Sequence, residues 1–237
     1  KDPEITSFIY MLPLGAGGMR KPWGVSDTRF PCCWGTLTEQ FSKLADSIYF
    51  ASPDMGSVFV NQFMPSTVMW AEKGATISQE SGFPASASGT TTITVTVQDA
   101  VQFVMQVRVP AWAALSKNVV TVNGKPITEG VIPGQYLTIN RTWSSGDVVD
   151  VHFPMTLWSS PVVDDRPEFN STMAFMFGPL VLAGLSTSVD FVPAGAPLEP
   201  ATFISRNSST DLTFVATGTN PFAASSSVSM PMLPLYQ

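Results

Sequence analysis

The chain has 237 residues, of which 44% are hydrophobic and only 13% are charged, and its formal net charge is −6. This acidic balance argues against a general nucleic-acid binder, which needs a basic face to displace counterions. The 17 glycines and 20 prolines argue against a long helical bundle, and the apolar content argues against disorder. The longest apolar stretch, Met173–Leu185, is shorter than the roughly 20 residues of a membrane span.

One helix is predicted near the start of the chain, after the Pro- and Gly-rich residues 1–31. Thr36 to Glu39 has the spacing of a capping box, in which the Thr hydroxyl and the Glu side chain satisfy the first backbone N–H groups, so the helix is expected to begin at Thr36. Apolar residues at helical spacing predict one apolar stripe along the helix: Leu37, Phe41, Leu44 and Ile48. Ser52–Asp54 supplies turn residues that end the segment.

The pattern changes to a period of two at residue 57, which predicts half-buried antiparallel strands. Strands are predicted over residues 58–63, 75–79, 91–97, 103–109, 119–122, 136–140 and 148–153. Asn123-Gly124 predicts a tight hairpin. The spacing of the turns favours a β-sandwich. Residues 154–167 are predicted to be a loop, the run Met173–Leu185 to be buried, and the segment after Thr187 to be a loosely structured extension.

Cys32 and Cys33 lie just ahead of the predicted helix. A helix N-terminus carries partial positive charge and free N–H donors, which favour a thiolate, and a thiolate is both a nucleophile and a metal ligand. Adjacent cysteines seldom form a disulfide with each other because the bridge strains the peptide between them. The pair is therefore either two buried thiols or a functional thiol site. With one histidine and two cysteines, the chain cannot form a Cys₄ or Cys₂His₂ zinc site by itself.

The segment Phe30–Phe50 closely resembles the β-L-arabinofuranosidase family of glycoside hydrolases, whose pattern is Cys-Cys-x-Gly-Thr-x-x-Glu followed by a segment that ends in Asp-Ser-Ile-Tyr-Phe. The similarity continues in order along the chain, over roughly residues 5–185. It takes in Val60–Ser66, Arg108–Trp112, Val122–Gly124, Trp143–Asp147 and Phe177–Gly184.

This resemblance implies a mainly β fold, an antiparallel β-sandwich preceded by the last helical segment of an (α/α)6 barrel. Residues 1–55 would be the C-terminal end of the barrel catalytic domain, residues 56–186 the β-sandwich, and residues 187–237 a Ser/Pro-rich extension packing on it. The chain would then be the C-terminal part of a retaining glycoside hydrolase that acts on glycans containing L-arabinofuranose.

By position in the family pattern, Cys32 would be the catalytic nucleophile and a zinc ligand, and Cys33 a second zinc ligand. The family's general acid, its remaining zinc ligands and its substrate-binding histidines lie upstream of this segment, so none of them is placed here. The chain alone is therefore expected to be inactive, and to need the N-terminal barrel segment or another chain as its partner. The alternative is a non-catalytic structural or carbohydrate-binding β-sandwich subunit of an extracellular assembly.

Other residues have both a structural and a chemical interpretation. Glu39 fits a helix cap better than a general acid, and His152 fits a surface strand better than a catalytic role. The acidic pair Asp164-Asp165 fits a solvated turn better than a carboxylate pair, and Trp112 and Trp143 fit core or rim packing better than sugar stacking.

Three sequons for N-glycosylation begin at Asn140, Asn170 and Asn207. Together with the low charge and the scarcity of cysteine, they favour a secreted or extracellular glycoprotein.

Overall fold

The computed structural model describes residues 32–82, 89–113, 117–185, 192–208, 212–220 and 227–234. The chain divides into two compact units. One comprises residues 1–47 and 186–189, and its described part contains a helix. The other comprises residues 48–185 and 190–237 and contains the strands. The predicted mainly β class is confirmed.

The helix, α1 (Cys32–Lys43), begins four residues earlier than the capping box predicts. Thr36 therefore lies inside the helix, and the capping-box prediction is wrong, because the same spacing also occurs within a continuous helix. The predicted apolar stripe extends past the end of the helix, which contains only Leu37 and Phe41 of its four residues. Phe41 is 70% exposed, and Leu44 is 52% exposed and lies beyond the end of the helix. Ile48 is buried, but it belongs to the unit that contains the strands, which is called the β unit below.

The strands follow in chain order. They are β1 (Tyr49–Ala51), β2 (Ser57–Val60), β3 (Ser66–Trp70), β4 (Ala75–Ser81), β5 (Thr90–Val97), β6 (Val101–Arg108), β7 (Val119–Val122), β8 (Lys125–Ile127), β9 (Tyr136–Trp143), β10 (Asp147–His152), β11 (Leu157–Pro161), β12 (Met173–Phe177), β13 (Leu180–Gly184), β14 (Val192–Pro193), β15 (Ile204–Arg206), β16 (Phe214–Thr219) and β17 (Ser227–Pro234).

The described strands form three sheets. The first has the order β1-β2-β6-β9, and the second has the order β3-β4-β5-β10-β7-β8. The third has the order β11-β12-β13-β17-β16-β14, with β15 paired to β16. The pairs are antiparallel except β2 and β6, which are parallel. Sequence periodicity does not reveal this exception, because alternation within a strand carries no information about the direction of its neighbour.

The first two sheets enclose one hydrophobic core, to which the inward residues of their strands contribute. In β5 the threonines alternate with apolar residues, and Ile93 and Val95 are fully buried, as the sequence pattern predicts. Trp143 is also fully buried, stacks on Phe103 with ring centroids 5.3 Å apart, and donates its indole N–H to the Phe103 carbonyl at 3.1 Å. The expectation that Trp143 packs in the core is thus confirmed.

The predicted hairpin at Asn123-Gly124 is confirmed. Val122 pairs with Lys125, and the two turn residues have φ values of 51° and 73°. Two successive positive φ values are those of a type I′ turn, whose twist matches the strands that it joins.

The third sheet has a separate hydrophobic core, which includes Phe177, Phe203, Phe214 and Met232. The apolar run 173–185 forms β12 and β13, and it is buried on one face only, since Val181 is 37% exposed. Strands β14 to β17 lie in the segment that the sequence predicts to be loosely structured, and this prediction is corrected. Small residues and prolines hide the alternation there: in β16, Phe214 and Ala216 are buried and the intervening residues are not.

Candidate functional site

The double cysteine lies within the first turn of α1 rather than ahead of it, because the helix begins at Cys32. The first four N–H groups of an α-helix have no partner inside the helix, and they give this end its partial positive charge. The backbone thus places both cysteines where a thiolate is favoured. Their side chains lie outside the described part of the structure.

The two thiols are soft donors that suit a zinc ion. Within the described ranges, no group of three or more His, Cys, Asp or Glu side chains is placed to hold a metal ion. Glu39 is exposed on α1, seven residues after Cys32 in the chain, and its backbone carbonyl accepts a hydrogen bond from the Ser42 hydroxyl at 2.7 Å. The donor set therefore fits part of a zinc site, and a tetrahedral site would need further ligands from residues outside the described ranges.

Arg166 is the main partner of the Asp164 carboxylate, and an interaction with the Asp165 side chain contributes less. The Asp164 carboxylate accepts hydrogen bonds from Arg166 Nε at 2.8 Å and from an Arg166 terminal nitrogen at 2.7 Å, and these bonds hold the pKa of Asp164 below its ordinary value. The guanidinium also lies over the Phe169 ring, 4.3 Å from its centroid. Asp165 is exposed. The interpretation as a solvated turn is confirmed.

His152 lies in β10 of the second sheet and is half-buried. Its Nδ1 is 3.0 Å from the Thr90 hydroxyl on the neighbouring strand, to which it is directly paired. This is the environment of a surface strand residue, as the sequence predicts.

Asp147 is a buried carboxylate, 7% exposed, at the start of β10. It accepts hydrogen bonds from Asn123 Nδ2 at 2.7 Å and from the Ser144 backbone N–H at 2.9 Å, and Arg141 lies 3.2 Å away. Burial by itself raises the pKa of Asp147, but the two hydrogen bonds and the Arg141 charge together lower it below its ordinary value. Asn123 also accepts a hydrogen bond from the Val148 N–H at 2.9 Å, so this turn residue contributes more than the turn chemistry expected from the sequence.

Trp112 is half-buried and packs against both hydrophobic cores of the β unit. Neither of the tryptophans singled out in the sequence therefore forms an open sugar platform.

Exposed aromatic rings do occur on the outward face of the first sheet. Phe50 is 48% exposed and is paired in register with Phe59, whose ring meets that of Tyr136 edge to face at 5.3 Å. The Tyr136 hydroxyl donates to Asn61 Oδ1 at 2.7 Å, and Arg108 Nε donates to the Asn61 carbonyl. The family-like segments that contain Asn61 and Arg108 thus meet at this face. The outward positions of the alternating pattern in β2 and β9 are the sequence signal that could have indicated it.

The asparagines of the three sequons, Asn140, Asn170 and Asn207, are all exposed. Asn140 lies in β9, Asn170 ends the turn Pro167–Phe169, and Asn207 follows β15.

A comparison with known protein families identifies the domain that the first two sheets form. Residues 57–155 match the family model for the β-L-arabinofuranosidase GH127 middle domain. This region forms a domain related to the GH127 β-L-arabinofuranosidases. The resemblance seen in the sequence is confirmed, and the GH127-related domain coincides with the first and second sheets from β2 onward. Among proteins of curated function, none matches the sequence.

Solved structures have the same fold. A GH127 β-L-arabinofuranosidase from Geobacillus stearothermophilus T6 is 20% identical with a TM-score of 0.65, and the match covers 92% of this chain and 36% of that one. A glycoside hydrolase is 19% identical with a TM-score of 0.68, covering 97% and 42%. A GH127 β-arabinofuranosidase is 22% identical with a TM-score of 0.66, covering 97% and 39%. The chain thus spans about two fifths of the length of these structures. In its described residues, no helix is long and apolar enough to cross a membrane.

Proposed function

We propose that this chain is the C-terminal part of a retaining glycoside hydrolase that cleaves terminal β-L-arabinofuranose from glycans, with Cys32 as the nucleophile. The observation that supports the proposal most directly is the order of the parts along the chain. The double cysteine opens α1, and the GH127-related domain follows it at residue 57. The resemblance carried by residues 30–50 assigns the cysteine role.

In this mechanism, the Cys32 thiolate attacks the anomeric carbon and forms a C–S bond while the bond from that carbon to the leaving oxygen breaks. A carboxylic acid, which the resemblance places upstream, protonates the leaving oxygen. Water then displaces the thiolate from the sugar, and the same carboxylate takes up the proton from that water. Two displacements at one carbon give retention of configuration. The first-turn N–H groups of α1 favour the thiolate form of Cys32 before the attack.

A zinc ion held by Cys32 and Cys33, together with ligands from outside the described residues, would keep the thiolate deprotonated. Two soft sulfur donors in consecutive positions support this proposal. Its test is metal analysis of the intact natural protein that contains this chain. Zinc should be lost in Cys32→Ser and Cys33→Ser and retained in Ser42→Ala, a control on the same helix whose hydroxyl bonds only to the Glu39 carbonyl. Zinc content unchanged in both cysteine variants would contradict the proposal.

The chain alone is proposed to be inactive, because a general acid and further ligands are still required and because it spans about two fifths of its structural relatives. The test is to incubate the purified chain with a β-L-arabinofuranoside, with and without added zinc. Turnover above the level of a Cys32→Ser control would overturn this part of the proposal. In the intact protein, Cys32→Ser should abolish turnover, and a slow substrate should leave one sugar mass on the Cys32 peptide.

The second candidate is a carbohydrate-binding sandwich without catalysis, and one observation favours it. Phe50, Phe59 and Tyr136 form an aromatic row on the outward face of the first sheet, beside the polar Asn61 and Arg108. Aromatic rings with nearby hydrogen-bonding groups suit a sugar ring, which has both apolar and polar faces. Binding of arabinose-containing polysaccharides should be lost in Tyr136→Ala, and retained in Thr138→Ala on the same face. Equal binding by both variants would refute this role.

The exposed sequons and the low charge support secretion of the protein. Its proposed location is extracellular, where glycans with L-arabinofuranose ends would be its substrates.

A further inference from the structure

Two of the three sequons lie entirely within the described residues, so their geometry can be compared. They are Asn140-Arg141-Thr142 and Asn170-Ser171-Thr172. The third begins at Asn207 and ends at Ser209, which lies outside the described residues.

The first sequon follows strand geometry. Successive side chains of β9 point to opposite faces, so Asn140 and Thr142 share the outward face while Ile139 and Trp143 are buried. Both sequon residues are exposed. Gln102 on the paired strand donates to Asn140 Oδ1 at 3.5 Å, so this contact engages the amide oxygen and not the nitrogen. Because β9 is an edge strand of the first sheet, a substituent on Nδ2 has open space on one side.

The second sequon lies in a tight turn. Asn170 ends the helical turn Pro167–Phe169, with its backbone N–H bonded to the Pro167 carbonyl at 3.2 Å. The Thr172 N–H bonds to the Phe169 carbonyl at 2.9 Å, and the Thr172 carbonyl accepts from the Val162 N–H at 2.9 Å. Backbone bonds therefore fix this loop, while the side chains of Asn170, Ser171 and Thr172 are all exposed. Turns at the surface are where a bulky modification is accommodated without loss of packing.

We propose that Asn140 and Asn170 are N-glycosylation sites of this protein. The donor is an oligosaccharide linked through its first sugar to an isoprenoid diphosphate. The bond between that sugar's anomeric carbon and the phosphate oxygen breaks, and a bond from the same carbon to the asparagine Nδ2 forms. The amide gives up one proton, and the isoprenoid diphosphate leaves. This inference is independent of the proposed hydrolase activity.

Asn207 is left out of the proposal, because its sequon ends at Ser209, outside the described residues. Asn61 is an internal negative control, since it is followed by Gln62-Phe63 and so lacks the hydroxyl residue of a sequon.

The test is translation of the full chain behind a cleavable signal sequence in the presence of microsomal membranes, which does not require secretion of a folded product. Peptide mass spectrometry after enzymatic removal of N-glycans, which converts a glycosylated asparagine to aspartate, should find conversion at positions 140 and 170 and none at 61. Thr142→Ala and Thr172→Ala should each remove one glycan. The matched variants Thr142→Ser and Thr172→Ser, which keep the hydroxyl, should retain it.

Unmodified Asn140 and Asn170 in membranes that glycosylate a reference protein would overturn the proposal. Modification of Asn207 alone would also overturn it, because Asn140 and Asn170 would then be unmodified in membranes that recognise this chain.

Discussion

Asp147 offers the sharpest test of how the β unit is held together, because one buried carboxylate joins three segments of chain. Its Oδ1 accepts from Asn123 of the β7–β8 turn, and its Oδ2 accepts from the Ser144 N–H and lies 3.2 Å from Arg141. We propose the variant Asp147→Asn, which preserves size and shape. Whichever way the new amide is oriented, its NH₂ group faces an N–H donor, so one hydrogen bond is replaced by a repulsive contact.

The expected change in the free energy of unfolding follows from these contacts. A hydrogen bond to a charged group contributes about 1.5–3 kcal/mol, and an unsatisfied buried group costs about 1–3 kcal/mol. Arg141 is 35% exposed, so its ion pair adds only about 0.5 kcal/mol. We therefore expect Asp147→Asn to lower the free energy of unfolding by about 2 kcal/mol and Asp147→Ala by about 3 kcal/mol.

The same carboxylate predicts a pH dependence. Because the folded-state pKa of Asp147 lies below its ordinary value of 3.8, its contribution is fully present above that value and is lost as the pH falls through the lower folded pKa. The stability of the unmodified chain should therefore fall more steeply below about pH 4 than that of Asp147→Asn, which has no carboxylate to protonate.

Urea unfolding of the full chain, followed by far-UV circular dichroism at several pH values, measures both effects. Hydrogen exchange at the Val148 amide, which donates to Asn123 Oδ1, reports the loss of local stability around Asp147. Asp164→Asn is the matched control, since its ion pair with Arg166 is at the surface and its loss should cost clearly less than the loss of the Asp147 carboxylate. A change in Asp147→Asn no larger than in this control, or an unaltered pH profile, would refute the reasoning.

Three further substitutions test the packing, each by urea unfolding of the full chain. Trp143→Ala should cost about 3–5 kcal/mol, because the ring is fully buried against Phe103, and Trp143→Phe should cost clearly less; equal costs would contradict the stacking. Gly89→Ala should be severely destabilising, because its φ is +62° and an added Cβ would lie 2.1 Å from the Phe153 carbonyl oxygen; a cost below about 1 kcal/mol would contradict this close approach. Trp158→Phe should lower the free energy of unfolding by about 1 kcal/mol, because it removes the hydrogen bond from the indole N–H to a backbone carbonyl. An unchanged free energy of unfolding would show that this hydrogen bond does not stabilise the fold.

Local sequence patterns predicted seven strands of the first two sheets, because alternation of polar with apolar residues reports which side chains face the core, but they missed the strands β1, β3 and β8. The strand β7 was placed at its observed ends, and β5 and β10 were placed within one residue of theirs. The Asn123-Gly124 turn was predicted equally directly, since few residue types adopt two consecutive positive φ values. The helix was displaced because a capping-box spacing does not by itself mark a helix start.

The sequence by itself determined the mainly β class, the resemblance to the β-L-arabinofuranosidase family and the position of the double cysteine near a helix start. Tertiary structure alone decided the parallel pairing of β2 with β6, the third sheet with its strands beyond residue 192, and the joining of Asn123, Ser144 and Arg141 by Asp147. The physical reason is range: a period of two is a property of neighbouring residues, whereas a strand's partner and the hydrogen bond from Asn123 to Asp147 are set by contacts between segments far apart in the chain.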